Sequence, residues 1–208
     1  MANISFLIFR DQFIKYGCFN IHQVYMWNPK FDSNNLTRWV VQGVLIKLKR
    51  EWFAFPDYLE VADFSRLIAN KIYPPSYIST HTALSYYGMI PESVTDITSV
   101  STQKTASFTN RFGNYSYQTV KSTLFFGFKP VALKDGRVFQ IARPEKALLD
   151  FLYLNPIYNS EEDMLNLRLD DSFLTEELNK GLMLQYLCVF NNKILSQRIN
   201  TIYKVYNC

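Results

Sequence analysis

Hydrogen-bonding side chains are concentrated in residues 33–42, where Ser, Asn, Thr, Arg and Gln alternate with apolar residues. At the ~100° spacing of a helix, Asn34, Arg38 and Val41 share one face, and Leu36 and Trp39 belong to the opposite one. Asn and Gln side chains can pair with adenine, and Arg with guanine, in the major groove of DNA. The pattern therefore predicts a recognition helix. Its candidate DNA-contacting residues are Ser33, Asn34, Asn35, Thr37, Arg38 and Gln42.

A second group of candidate contacts follows within ten residues. The segment 44–55 alternates around a charged tip, with Ile46 and Leu48 on one side of it, and Pro56 ends the pattern. This arrangement predicts a β-hairpin. Its Lys47, Lys49 and Arg50 are expected to contact backbone phosphates as a wing.

The distribution of charge favours a nucleic-acid partner without requiring one. The net charge is +4, and residues 1–56 carry seven Lys and Arg against three Asp and Glu. Residues 157–208 carry five against seven. A basic first segment is the electrostatic footprint of DNA binding. The alternative is that the helix face and the charged hairpin tip are only solvated surface. Folds that combine short helices with such a hairpin also serve as protein-interaction modules.

Candidate catalytic or metal-binding groups are scattered. The two histidines, His22 and His81, are far apart in the chain, and the three cysteines form no CxxC pair. The sequence contains no GxGxxG, GxxxxGK[ST] or GxSxG segment. We therefore expect no catalytic residue, no cofactor and no metal site.

A magnesium-dependent nuclease remains an alternative, since it needs clustered carboxylates and a lysine. Asp135, Glu145 and Asp150 are the carboxylates nearest to predicted β-structure, with Lys134 and Lys146 beside them. Glu145 and Asp150 are five residues apart, a spacing that does not bring them together on one helix face. Helix-start and surface roles are expected for these groups.

The elements that position the polar face are short. Apolar residues at helical spacing predict a helix over 5–16, capped by Ser5 or Asn3 and ended by Gly17. A second helix is expected over 21–27 and a third from Asp32 or Ser33 to about Gln42. With the hairpin, this is the element order of a winged helix-turn-helix.

The remainder of the chain alternates between strands and helices. A helix over 59–72 leads to Tyr73-Pro-Pro, which is the best candidate for a domain boundary. A helix over 79–87 and five strands between 97 and 142 follow. A helix from 143 to about 154 and two or three more in 160–206 complete the chain. We therefore predict an α+β protein of two domains. Residues 1–75 form a winged helix-turn-helix with a linker helix, and residues 76–208 form an α/β domain with a mixed sheet and C-terminal helices.

The longest apolar stretch, about ten residues over 181–190, is shorter than the ~20 residues that cross a bilayer. Residues 4–9 are too short for the apolar region of a secretory signal. A cytoplasmic protein with no membrane partner is expected.

Four blocks in the middle of the chain resemble the AbiEi family of bacterial abortive-infection antitoxins. They are residues 77–92 (YISTHTALSYYGMIPE), 97–102 (ITSVST), 125–130 (FFGFKP) and 143–150 (RPEKALLD). Together with the predicted winged helix, the resemblance covers roughly residues 1–155.

The resemblance implies a component of a type IV toxin–antitoxin system in phage defence. In that family the winged helix represses its own operon at inverted repeats. The C-terminal domain counters a nucleotidyltransferase toxin without forming a stable complex with it. The expected partner is therefore double-stranded operator DNA, bound by a monomer or a DNA-induced dimer. For antitoxicity the candidates are the basic positions Lys104, Arg111, Lys121 and Lys129.

Two further alternatives stay open. One is a stand-alone winged-helix transcriptional regulator whose second domain senses a ligand or a protein. The other is an interaction module without DNA activity.

Overall fold

The computed structural model describes residues 4–207, so that Asn3, one of the two predicted caps, lies outside the described residues. The protein is mixed α/β, with a three-stranded sheet, a six-stranded mixed sheet and helices at the C-terminal end. The mixed sheet and the C-terminal helices confirm the coarse fold prediction.

The first third of the chain forms three helices and the three-stranded sheet. Its elements are α1 (Phe6–Phe13), β1 (Cys18–Asn20), α2 (Ile21–Trp27), α3 (Asn34–Val41), β2 (Ile46–Lys49) and β3 (Trp52–Ala54). Strand β3 lies between β1 and β2 and pairs antiparallel with both. The three predicted helices and the predicted hairpin are present, and β1 is an additional strand.

Local capping explains where these helices begin and end. The Ser5 hydroxyl accepts a hydrogen bond from the Ile8 amide at the start of α1. At the start of α2, the Asn20 side chain accepts from His22 N, and the Gln23 side chain accepts from Asn20 N. Such reciprocal caps satisfy amides that have no partner inside the helix. Gly17 ends the turn after α1 with φ +75°, a conformation that favours glycine.

Aromatic side chains form the core beneath α1 and α3. Phe9 is fully buried and lies 4.7 Å from the Trp39 ring and 4.8 Å from the Phe13 ring, measured between centroids. Phe19 of β1 and Phe53 of β3 stack at 5.9 Å and close this core from the side of the sheet. Large rings supply most of the buried apolar area of so small a unit.

The rest of the chain builds the larger sheet and its helices. Its elements are α4 (Phe64–Ile72), β4 (Ser76–Ile78), α5 (Thr80–Tyr86), β5 (Ile97–Ser101), β6 (Ala106–Asn110), β7 (Gly113–Thr119), β8 (Phe128–Ala132), β9 (Val138–Ala142), α6 (Pro144–Leu154), α7 (Glu161–Asn166), α8 (Lys180–Phe190) and α9 (Lys193–Val205). The strand order is β6-β7-β5-β4-β9-β8. Strands β4 and β9 and strands β5 and β7 pair in parallel, and the other neighbours are antiparallel.

Helices α4 and α5 cover opposite faces of the larger sheet. The Tyr117 hydroxyl donates to the Ala69 carbonyl of α4 at 2.8 Å. The preceding residue, Ser116, pairs with Thr98 of β5, whose hydroxyl hydrogen-bonds to the Thr82 hydroxyl of α5 at 3.1 Å. Because successive strand residues point to opposite faces, the two helices lie on different sides of the sheet.

Strands β1 and β3 contribute side chains to a core on each face of the three-stranded sheet, whereas β2 exposes Lys47. Phe19 and Phe53 face the aromatic core, whereas Cys18, Leu48 and Ala54 belong to the core of the larger sheet. Helix α4, predicted as a linker helix, also contributes its apolar face to that larger core, from Phe64 to Ile72.

The Arg137 side chain, from the β8–β9 turn, strengthens the junction between the first third of the chain and the larger sheet. The Arg137 guanidinium lies over the Tyr58 ring at 4.3 Å and over the Phe64 ring at 5.1 Å. It also packs against Gly17, where an added Cβ would overlap Nη1 of Arg137. Asp135, in the same turn, pairs with this guanidinium.

Three element predictions need correction. Helix α4 begins at Phe64 rather than residue 59, because Pro56–Tyr58 form a 3₁₀ turn and Asp63 adopts φ +62°. The predicted strand over 124–133 is shorter, since Ser122–Leu124 form another 3₁₀ turn. Strand β4 falls where a loop was expected.

Within residues 4–207, no helix is long and apolar enough to cross a membrane.

Burial of Cys18 leads to a testable expectation. Burial raises the pKa of this thiol to about 12, against the opposing effect of the Lys71 and Arg137 charges. In a Cys188→Ser/Cys208→Ser variant, the remaining thiol should be unreactive toward a disulfide reagent at mildly alkaline pH. It should react fully once the protein is unfolded in denaturant, because the thiolate is the nucleophile. Rapid reaction of the native variant would contradict the sandwiched position of β1.

Candidate nucleic-acid interface

Helix α3 presents a polar face to solvent and an apolar face to the aromatic core. Asn34, Thr37, Arg38 and Gln42 are exposed, and Ser33 at the start of the helix is partly exposed. The apolar residues of the opposite face, Leu36 and Trp39, are 2% and 3% exposed. Val41 is 83% exposed, as the helical wheel predicts. The Asp32 carboxylate accepts a hydrogen bond from Asn34 N at 3.0 Å and caps the helix.

The prediction that Asn35 belongs to the exposed face is wrong. Its residue surface is only 6% exposed. The side-chain Oδ1 accepts a hydrogen bond from Nη2 of Arg38, one turn later on the same helix. Asn35 therefore orients the Arg38 guanidinium. A guanidinium held in one orientation loses less side-chain entropy when it binds a partner.

The hairpin tip is fixed beside the helices by main-chain contacts. The Ile21 amide at the start of α2 donates to the Glu51 carbonyl at 2.9 Å. Glu51 adopts φ +66° in the turn. Lys47 is exposed on β2, and the Arg50 side chain is 92% exposed at the tip. Exposed cationic side chains are therefore present on β2, at Lys47, and at the tip beside the start of α2, at Arg50.

Lys49 does not extend freely from the tip. This corrects the prediction that Lys49, like Lys47 and Arg50, points outward to contact phosphates. Its ammonium lies 5.3 Å from the Tyr73 ring and 5.0 Å from the Phe108 ring. Partial burial lowers the pKa of Lys49, and the charge of Glu51 opposes that shift. Cations are attracted to the faces of aromatic rings, so this contact holds the hairpin against β6.

A second contact ties the hairpin to the larger sheet. The Asn110 side-chain amide donates to the Leu48 carbonyl at 3.2 Å. Between β6 and the hairpin remains an open groove of about 600 Å³, lined in part by Arg50, Trp52 and Ser107. The wing-like hairpin is thus docked on an edge strand.

The four basic positions predicted for antitoxicity do not form one patch. Lys104 and Lys121 lie at the same end of the β6–β7 pair, because Ala106 pairs with Tyr117. Arg111 is in the turn at the opposite end of that pair. Lys129 is on β8, at the other edge of the sheet, with its ammonium 5.2 Å from the Tyr87 ring.

The carboxylates considered for a nuclease lie apart, in different settings. Asp135 pairs with Arg137 in the β8–β9 turn, and this hydrogen bond lowers the pKa of Asp135. Glu145 is 4% exposed and accepts a hydrogen bond from Asn179 N at 2.9 Å, which positions the start of α8. Among residues 4–207, no three His, Cys, Asp or Glu side chains converge as a metal-binding group.

The surface role predicted for Lys146 and Asp150 is wrong, because both side chains are fully buried and form an ion pair. Lys146 Nζ also donates to the Tyr77 hydroxyl at 2.8 Å. The Asp150 carboxylate accepts from Tyr77 at 2.9 Å and from Ser79 at 2.8 Å. This buried network joins α6 to β4. The sequence signal for the ion pair was the i, i+4 spacing of Lys146 and Asp150 in a largely apolar helix.

Burial dominates the electrostatics of this network. It lowers the pKa of Lys146 and raises the pKa of Asp150, although the two charges attract each other. The two pKa values therefore approach one another, because burial disfavours the charged form of each group. The ring of Phe126, 5.1 Å from Nζ, and the ring of Phe190, 4.9 Å from it, complete the enclosure of the ammonium.

The two histidines are in unrelated places. His22 is exposed, with Nε2 at 3.8 Å from the Glu51 carboxylate. His81 packs edge-on against Phe151 at 4.8 Å between centroids.

No protein-family model matches the chain, and no curated protein matches it significantly.

The buried pair can be tested with a double-mutant cycle. Asp150→Asn and Lys146→Met should each lower the free energy of unfolding by about 3–5 kcal/mol, because each leaves one buried charge without its partner. The double variant should lose less than the sum, since Asn still accepts from Tyr77 and Ser79 and no charge remains. Urea unfolding measures all three, with Lys193→Met at an exposed position as the control. Strict additivity would mean that the two groups are not coupled.

Proposed function

We propose that the protein binds double-stranded DNA through α3 and the β2–β3 hairpin. The order of helices and strands from α1 to β3, with β3 between β1 and β2, supports a winged helix-turn-helix as the fold of this part of the chain. The observation that carries the proposal is the exposed Arg38, held by buried Asn35, on the face opposite Leu36 and Trp39. Core packing on one side gives the polar face a fixed position.

Each exposed group has a distinct expected role. Arg38 suits the O6 and N7 acceptors of guanine, and Asn34 and Gln42 suit adenine. Lys47 and Arg50 suit backbone phosphates, which fix the register of the protein on the duplex. Asn35 acts through Arg38 rather than by contact.

The cellular role that we propose is that of the resembled AbiEi family. The protein would repress its own operon at inverted repeats through a winged-helix domain in residues 1–75. Residues 76–208 would form the antitoxin domain, which counters a nucleotidyltransferase toxin in the cytoplasm. This part of the proposal rests on the blocks between residues 77 and 150. Because an inverted repeat carries two equivalent half-sites, two copies of the chain would occupy one operator.

DNA binding should be selective, weakened by salt and dependent on α3. Arg38→Ala should weaken binding to the protein's own upstream DNA by about 1–3 kcal/mol and bring it close to binding of a scrambled duplex. Arg50→Ala should weaken both duplexes alike and reduce the slope of log K against log salt by about 0.9. Fluorescence anisotropy across a salt series measures both effects.

The control variants distinguish the loss of a DNA contact from the loss of a positive charge elsewhere on the protein. Lys193→Ala removes an exposed cation at the start of α9 and should change neither affinity nor slope. Lys49→Ala should reduce the salt slope less than Arg50→Ala, because the Lys49 ammonium lies against aromatic rings. Equal affinity of the wild-type protein for both duplexes at every salt concentration would refute sequence-specific binding.

The antitoxin role needs a separate assay. The protein should restore growth of cells that express the nucleotidyltransferase toxin of its operon, without co-eluting with that toxin. Lys104→Glu combined with Lys121→Glu, at one end of the β6–β7 pair, should abolish rescue and preserve DNA binding. Arg111→Glu and Lys129→Glu test the two remaining positions singly, and Lys193→Glu is the matched charge control. Full rescue by every variant would remove these four positions from the antitoxic surface.

A further inference from the structure

A partly enclosed cavity of about 210 Å³ lies between α5, α6 and the segment that follows α7. Its floor is apolar, formed by Leu84, Ile90, Phe151, Leu167 and Leu169. All five side chains belong to the core of the larger sheet and are at most 8% exposed. The floor is therefore rigid, because it is part of the close-packed interior.

Hydrogen bonds hold the walls of this cavity in place. The Asp170 amide, just beyond α7, donates to the Met89 carbonyl at 2.9 Å. The Ser85 hydroxyl donates to the Glu92 carbonyl at 2.8 Å. The segment after α7 is thus joined to the loop after α5. A cavity whose walls are linked in this way is formed before any ligand arrives, and small-molecule sites are usually preformed.

Three residues with polar side chains line the cavity: His81, Tyr158 and Asn166. Within residues 4–207, none of these three side chains hydrogen-bonds to another protein group. An apolar floor with a few free hydrogen-bonding groups at its edge is the usual composition of a ligand site.

One carboxylate determines which ligand charge the cavity favours. Among the described residues that line it, Glu92 is the only charged one, and its side chain is 51% exposed. Its Oε1 is 3.7 Å from Nη1 of Arg168, whose side chain is 70% exposed and lies outside the lining. Partial burial lowers the pKa of His81, with Glu92 opposing, so that the imidazole is neutral at neutral pH. Within residues 4–207, the lining itself therefore carries one negative charge and no positive charge.

We propose that this cavity binds a small aromatic amine. The ring would lie on the apolar floor beside Phe151 and Tyr158, whose own rings are 5.0 Å apart. The ammonium group would pair with Glu92, and His81 or Asn166 would hydrogen-bond a second polar group. An aromatic acid of the same size would place its carboxylate against Glu92 and be rejected. The site involves none of the proposed DNA contacts.

Two probes of the same shape and opposite charge test this directly. Tyramine and 3-(4-hydroxyphenyl)propionate share a phenol ring and a two-carbon spacer. Ligand-observed NMR titration should show that tyramine binds with a Kd of about 1 mM or below and the acid at least about tenfold more weakly. Failure of tyramine to bind, or equal binding of the two probes, overturns the proposal.

Four variants at exposed positions test where the amine binds. Glu92→Gln should remove the preference for tyramine over the acid. Glu162→Gln, the same change at an exposed position of α7, should leave that preference intact. Asn166→Trp should block the mouth and abolish tyramine binding, with circular dichroism confirming that it is folded. A preference that survives Glu92→Gln, or tyramine binding that survives Asn166→Trp, places the amine elsewhere and refutes the site. Arg38→Ala should bind tyramine normally whether or not the DNA proposal holds.

Discussion

The structure depends on a sheet of three short strands that lies between two cores. Alternate residues of β1 and β3 enter the aromatic cluster under α1 and α3 and the core of the larger sheet, whereas β2 buries Ile46 and Leu48 in the larger core and exposes Lys47. A one-residue shift in pairing would exchange the two sets, placing Phe53 where Ala54 packs now. The register of β3 therefore fixes the hairpin relative to both halves of the chain, and with it the direction in which Arg50 extends.

Local signals accounted for most elements, because caps, glycines and prolines act within a few residues. Gly17, predicted to end the first helix, follows the turn after α1 with φ +75°, and α2 occupies the predicted residues 21–27. Strands β1 and β4 escaped prediction because each has three residues and exists only through pairing with distant partners. Helix α4 was placed five residues early because propensity does not reveal that Asp63 adopts a left-handed conformation.

The candidate site was predictable in outline and not in detail. Helical periodicity placed Arg38 and Gln42 on the exposed face, since that depends only on geometry within α3. It could not show that Asn35 turns inward to hold Arg38, nor that Lys49 folds back onto Phe108, because both depend on tertiary packing. The buried pair in α6 was visible as a spacing, but its burial follows from the enclosure of α6 by β4 and α8.

The contact between Arg137 and Gly17 limits how this architecture can be recombined. The first helices and the larger sheet look like exchangeable modules along the chain, yet a residue from the β8–β9 turn occupies the space that any side chain at position 17 would need. A hybrid that grafts the first helices of another protein onto this sheet needs a glycine there, because the backbone has φ +75° and any Cβ would displace the Arg137 guanidinium. A single position thus makes compatibility of the first helices with the β8–β9 turn a condition of the graft.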